Sequence, residues 1–367
     1  MKISYDHQIF CDQVYGGISK SFFELANHMA LLEPKKITVK IISPFYRNKY
    51  IDIKNKNFLF NGLKVPDFKK SGRFCSILNS IIAPVILNNY DPDIIHFTNY
   101  NSLINFKSRA KKIVTVHDMI HELFPQYFTK IDKTSDFKRY AVDNSDHIIC
   151  NSKNTQNDLV KLFKVDINKT SVVHFACPLV NKSVENFVKN DKPYLLYVGK
   201  RGGYKNFQRF LEAYSSPEIK NYFDLVAFGG DSFSKEEIKM FDELKISKNS
   251  LKQVNGDDQL LTAYYKNASL FVYPSLYEGF GFPPLEAMKN SCPVICSYGS
   301  SISEIVEDAA LLFDPYSINS IKDKIISVIY NDNIRSSLIS KGLSQVNKFS
   351  WARCAKETYK IYEKVLS

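Results

Sequence analysis

Short apolar segments of four to six residues alternate with amphipathic stretches along the chain, and the alternation runs through twice. In the first half the strand candidates are 2–5, 38–42, 93–97, 113–116, 147–150 and 171–174, with helical patterns such as 18–30 and 155–163 between them. After a polar, charged stretch at 181–192 that ends in Pro193, the pattern restarts. Its strands are 194–198, 224–228, 251–254, 270–273 and 294–296, and its helices are 206–214, 234–244 and 284–289. Short strands that are apolar on both faces and separated by helices specify parallel sheet with each face covered. The expectation is an α/β protein of two Rossmann-like domains, 1–185 and 190–348, followed by a helix within 349–367. Its length of 367 residues, more than one hydrophobic core usually serves, agrees. The ligand site of such an architecture is the cleft lined by the C-terminal ends of the strands.

The chain carries 49 Lys and Arg against 38 Asp and Glu, a net charge of +11. Residues 1–190 hold 27 basic and 17 acidic side chains, whereas 191–367 hold 22 and 21. The first half therefore expects an anionic partner, and nucleic acid, anionic lipid and phosphorylated substrate all qualify. With 44% hydrophobic residues the chain is neither disordered nor a small disulfide scaffold. The longest apolar runs, such as 81–87, are too short to cross a bilayer. The start, Met1-Lys2-Ile3-Ser4-Tyr5-Asp6, lacks a signal peptide's apolar stretch, so a cytoplasmic location is expected. The seven cysteines, among them Cys150, Cys292 and Cys296 in strand-like surroundings, read as core residues of a reducing compartment.

Four segments carry chemistry. The first is 275–288, Ser-Leu-Tyr-Glu-Gly-Phe-Gly-Phe-Pro-Pro-Leu-Glu-Ala-Met, which follows a strand and opens a helix. Gly279 and Gly281 let the backbone approach a ligand, Pro283 and Pro284 suit a helix start, and a helix N-terminus favours a diphosphate. Glu278 and Glu286 can each accept hydrogen bonds from a vicinal diol; a helix cap explains Glu286, taken alone, equally well. The second is Gly199-Lys200-Arg201-Gly202-Gly203-Tyr204-Lys205, which matches neither a Walker loop nor a dinucleotide fingerprint. Arg201 and Lys205 can neutralise a leaving diphosphate, although in isolation the segment is a solvated basic loop. The third is Thr115-Val116-His117-Asp118-Met119-Ile120-His121 after a strand. There His117 can reach a sugar hydroxyl, with a core histidine the ordinary alternative; Asp118 and His121 make only a weak metal site. The fourth is Val14-Tyr15-Gly16-Gly17, a phosphate- or acceptor-binding turn or a plain one. Asp91-Pro92-Asp93 has a metal-binding spacing but precedes its strand, so it reads as a turn, and no metal is expected.

Taken in chain order and over nearly the whole chain, these segments resemble the retaining glycosyltransferases of family 4, which have the GT-B fold. The run 281–288, residues 300–304 and Asp308-Ala309-Ala310 strengthen the resemblance, as do the seven residues separating Glu278 from Glu286. It points in particular to the mannosyltransferases of bacterial O-antigen and other surface polysaccharides. GT-B implies two Rossmann-like domains facing a central cleft, with the C-terminal helix crossing back to the N-terminal domain. The resemblance implies that Arg201 and Lys205 hold the donor diphosphate, Glu286 the ribose, and Glu278, Phe280, Gly281, Phe282 and Leu285 the rest of the donor. It places His117 on the donor sugar and Gly16-Gly17 near diphosphate and acceptor; Lys200, an extra cation beside the expected Arg201, departs from the family pattern and can share its role. It further implies a nucleotide-sugar donor, GDP-mannose or else a UDP-, dTDP- or GDP-fucose-type sugar, and transfer with retention without a metal.

The basic half bears on the acceptor. Residues 47–73 contain eight basic and two acidic residues interleaved with Tyr50, Phe58, Phe60 and Phe68, and 107–112 is a second basic cluster. Such a surface suits anionic headgroups. Peripheral contact with the cytoplasmic face of an anionic inner membrane is therefore expected, and the resemblance implies an oligosaccharide or undecaprenyl-diphosphate-linked acceptor. A GT-B-type nucleotide-sugar epimerase is the rival enzyme. A nucleic-acid partner is not expected, since no recognition motif for one is present.

Overall fold

The computed structural model describes residues 1–52, 56–100, 108–177 and 192–367. Two compact units emerge: Met1–Ala176 together with Phe349–Ser367, and Cys177–Lys348. The first unit ends nine residues earlier than the sequence pattern places it, at 176 rather than 185. Residues 181–191 of the expected linker, and Lys107 of the second basic cluster, lie outside the described residues.

The strands of the N-terminal unit are β1 (Lys2–Tyr5), β2 (Thr38–Ile41), β3 (Phe45–Tyr46), β4 (Leu59–Phe60), β5 (Leu63–Lys64), β6 (Ile94–Phe97), β7 (Lys111–Val116), β8 (His147–Cys150) and β9 (Thr170–Val172). Among the described residues its main sheet is wholly parallel, in the order β4-β2-β1-β6-β7-β8-β9. The C-terminal unit contributes β10 (Tyr194–Val198), β11 (Asp224–Phe228), β12 (Leu251–Val254), β13 (Leu270–Tyr273), β14 (Val294–Ser297) and β15 (Leu311–Phe313). These form the parallel order β12-β11-β10-β13-β14-β15. Every residue of β6, β8, β11, β13 and β14 is buried, because helices cover both faces. In each sheet the order reverses once, between β1 and β6 and between β10 and β13. A crevice opens there at the strands' C-terminal ends, since the crossovers on its two sides run to opposite faces.

The last helix, Trp351–Leu366, belongs to the N-terminal unit. Its Tyr362 hydroxyl lies 2.6 Å from His96 Nδ1 on β6 and 3.2 Å from the Tyr5 hydroxyl on β1, all buried. His96 Nε2 meets Thr115 Oγ1 of β7 at 2.7 Å, so one polar chain fastens the tail to three adjacent strands. Buried polar groups left without such partners would each cost about 1–3 kcal/mol.

His7 is different, since neither ring nitrogen has a hydrogen-bond partner among the described residues and burial pushes the imidazole down to about 4 from 6.5. The unfolded chain binds a proton below pH 6.5 that the folded protein refuses, so this histidine removes stability as pH falls towards 4. Apart from Asp6, its neighbours Ile42, Ala83, Pro84, Leu87 and Phe97 are apolar and suit an aliphatic side chain. His7→Leu should therefore flatten the pH dependence by about 1.4 kcal/mol per pH unit in that window. Urea unfolding at pH 7 and pH 5 reads the slope, and equal slopes in both proteins would contradict the assignment.

Candidate active site

In the C-terminal unit the two loops at the reversal point are stitched together. The loop after β10 runs through Gly199–Lys205, and the loop after β13 through Pro274–Gly281. Asn206, buried and left-handed at φ 58°, donates its amide hydrogens to the carbonyls of Pro274 at 3.0 Å and Pro315 at 2.8 Å. The Leu276 N–H donates to the Tyr204 carbonyl at 2.7 Å. This places Lys205 Nζ 2.6 Å from Glu278 Oε1, with 19% and 11% of the side chains exposed. The ammonium also faces the rings of Tyr204 and Tyr273, 5.2 and 5.8 Å from their centroids. Burial, then the Glu278 charge and its hydrogen bond, push the Tyr273 hydroxyl well up, so it stays a donor to the carboxylate.

Glu278 is held from behind. Ser301, wholly buried at the start of the helix Ser300–Val306, donates to the carbonyls of Glu278 at 2.7 Å and Phe280 at 2.9 Å. The Glu278 N–H donates to Ser300 Oγ at 3.3 Å. Gly281, at φ +120° with open space where a Cβ would stand, then turns the chain into the helix Phe282–Lys289. Leu285 is fully buried, and Phe280 and Phe282 pack at 5.1 Å between centroids. Glu286 accepts from the Tyr265 hydroxyl at 3.2 Å through Oε2, which orients its carboxylate.

Arg201 does not join Lys205 in this arrangement. Its Nε donates to Glu237 Oε1 at 2.7 Å, and its terminal nitrogens donate to the carbonyls of Gly229, Asp231 and Ser232. The guanidinium lies over the Phe233 ring at 4.7 Å, with 6% of the side chain exposed. The physical reason is Glu237, which completes a capping box with Ser234 and keeps an oxygen for Arg201. The neighbouring Lys200 is exposed.

In the N-terminal unit, Gly16 caps the helix Gly17–Leu32 in extended backbone. A Cβ there would fall 2.1 Å from Gln13 Oε1, the atom that accepts the Ser19 N–H and closes the helix end. From that helix, Phe22 stacks edge-on against His117, 5.9 Å away. His117 follows β7 and is buried; its N–H donates to the Tyr100 hydroxyl at 2.8 Å. Nε2 lies 3.0 Å from the Thr98 carbonyl, and Thr98 in turn donates N–H and hydroxyl to Asp6 Oδ1 at 2.8 and 2.6 Å. A carbonyl partner requires the proton on Nε2, so Nδ1, which has no partner among the described residues, is an acceptor. Burial lowers the His117 pKa and keeps this neutral form. Asp118 and His121 do not converge: Asp118 accepts from Ile120 N and lies 3.8 Å from Lys138, while His121 pairs with Asp132 at 3.6 Å. Asp93 accepts the Lys2 N–H at the opposite end of the sheet, as a turn residue.

Two family models divide the chain. Residues 15–176 match Glycosyltransferase Family 4, and residues 181–345 match Glycosyl transferases group 1. The chain belongs to the family 4 glycosyltransferases. It is 27% identical over 292 residues to O-antigen chain mannosyltransferase B of Escherichia coli, covering 76% of each protein. It is 26% identical over 222 residues, 59% of this chain and 60% of the relative, to the N-acetylgalactosamine-N,N'-diacetylbacillosaminyl-diphospho-undecaprenol 4-alpha-N-acetylgalactosaminyltransferase of Campylobacter jejuni. The fold is shared with sucrose-phosphate synthase of Thermosynechococcus elongatus, at a TM-score of 0.75 and 18% identity, with 100% of this chain and 99% of that one covered. The fold is GT-B, as expected.

In this glycosyltransferase, the residues that sequence reasoning missed are those that hold others in place. Asn206, Tyr273, Ser301 and Tyr265 position Lys205, Glu278 and Glu286, and Asp6, Thr98 and Tyr100 position His117. Asn206 had a local signal, a left-handed-tolerant residue directly before a helix, and Ser301 lies in the run 300–304 that the resemblance already marked.

Proposed function

We propose that this glycosyltransferase moves mannose from GDP-mannose, with retention and without a metal, to a lipid-linked or oligosaccharide acceptor in bacterial surface-polysaccharide synthesis, peripherally at the cytoplasmic face of the inner membrane. The observation that carries the reading is Lys205 beside Glu278 in the crevice of the C-terminal unit. As the bond from the sugar's anomeric carbon to the diphosphate oxygen breaks, negative charge grows on the departing diphosphate. A preorganised ammonium stabilises that charge, and its three donors let Lys205 keep Glu278 while holding a phosphate oxygen. The acceptor hydroxyl forms the new bond on the face the diphosphate leaves and passes its proton to a phosphate oxygen. Glu286 accepts the ribose hydroxyls, Glu278 and the backbone at Phe280–Phe282 contact the sugar, and Lys200 shares the diphosphate role assigned to Arg201. Neutral His117 offers Nδ1 to a sugar hydroxyl, and the Gly16-Gly17 turn serves the acceptor side. The names of the Escherichia coli and Campylobacter jejuni relatives support mannose and a diphospho-undecaprenol-linked acceptor respectively.

A thermal-shift screen of GDP, UDP, dTDP and their sugars tests the donor. GDP-mannose should stabilise most, by about 2.7 kcal/mol at a hundredfold excess over its Kd. A larger shift with UDP- or dTDP-sugars would overturn the donor while leaving the enzyme class in place.

A further inference from the structure

The helix Ser71–Tyr90 of the N-terminal unit buries a narrow stripe at four-residue spacing, Cys75, Asn79, Ala83 and Leu87. Phe74, Ile77, Ile81 and Val85, at spacings of three and four, form a second row that is 48, 53, 68 and 60% exposed. Phe68 extends this row past the helix start, its ring 6.0 Å from that of Phe74. A surface helix ordinarily turns polar residues outward, so a continuous row of large exposed apolar side chains marks a contact surface.

The charge around the row says what it contacts. The helix contains no Asp or Glu. Within the basic region, Arg47 is paired with Asp67 and Lys64 with Asp52. Lys69, Lys70 and Arg73, at the helix start, are exposed and carry no ion pair among the described residues. Uncompensated cations beside an apolar row complement anionic headgroups above acyl chains. A second copy of this chain would bring the same three cations to the contact, with no acid on the helix to meet them. No helix among the described residues is long and apolar enough to cross a membrane, so this one lies along the surface.

We propose that Phe68, Phe74, Ile77, Ile81 and Val85 rest in the headgroup–acyl boundary of an anionic bilayer, with Lys69, Lys70 and Arg73 on the headgroup phosphates. This names the docking element for the membrane-linked acceptor read above, and it rests on that reading.

Co-sedimentation of the full chain with phosphatidylcholine vesicles, with and without phosphatidylglycerol, tests it. The wild type should bind the anionic vesicles in a salt-sensitive manner. Ile77→Ser/Ile81→Ser/Val85→Ser should lower partitioning by about tenfold or more. Lys69→Ser/Lys70→Ser/Arg73→Ser should erase the preference for phosphatidylglycerol. Both variants should keep the wild-type nucleotide thermal shift, which shows that they fold. Undiminished vesicle binding by the Ile/Val variant would overturn this face as the docking element while peripheral docking stood. No binding by the wild type would remove both membrane readings and leave donor binding untouched. A wild-type dimer that the Ile/Val variant dissociates would assign the row to a second copy and overturn the proposal.

Discussion

Lys205→Ala is expected to lower turnover of the nucleotide sugar by about 100- to 1,000-fold, the usual loss when one preorganised group stabilising transition-state charge is removed. The size follows from where the ammonium sits. It lies between two tyrosine rings and a carboxylate with 19% of its side chain exposed, where water screens little of its charge. The substitution also leaves the 11%-exposed Glu278 facing any incoming diphosphate without its cation. Binding of GDP should weaken together with turnover. Glu278→Gln separates the two effects, because it removes the anion competing for Lys205. GDP should bind this variant at least as tightly as the wild type while turnover falls. The folding cost of Lys205→Ala should stay within about 1–3 kcal/mol, since Tyr273 still serves the carboxylate. Steady-state kinetics and calorimetric GDP titration read both quantities. Turnover above a tenth of wild type in Lys205→Ala would remove the lysine from the mechanism.

Glu286→Ala should weaken nucleotide binding by about 2–4 kcal/mol, roughly 30- to 1,000-fold in Kd, if its carboxylate accepts two ribose hydroxyls. The Tyr265 hydroxyl on Oε2 orients the carboxylate. A deoxyribose nucleotide isolates the interaction. The wild type should prefer GDP to dGDP clearly, whereas Glu286→Ala should bind the two alike, a coupling that a merely structural glutamate would not produce. An unchanged preference for GDP in the variant would place the ribose elsewhere.

Much of the fold was legible because its central strands are buried on both faces, so they stand out as apolar runs between turns. The strands at 2–5, 147–150, 194–198, 224–228, 251–254 and 270–273 have the expected bounds. The weak spots are two-residue β3, β4 and β5, too short to leave a pattern, and the helix Ser71–Tyr90. That helix is apolar on two faces, so it lacks the single-sided periodicity by which surface helices are recognised.

The same contrast holds at the site. Lys205, Glu278 and Glu286 could be singled out because each sits at a fixed offset from a strand end or a glycine loop, and parallel sheets place such loops at one edge. The sequence alone therefore determined the two-part α/β architecture, the family and the charged residues brought to the edge of each sheet. Tertiary structure decided which charges act together. Lys205 meets Glu278 across 73 residues of chain, while Arg201, only four residues before Lys205, is drawn to Glu237 and three carbonyls. Ion pairing depends on through-space distance and on competition among all nearby acceptors, and neither quantity is written in the spacing of a motif.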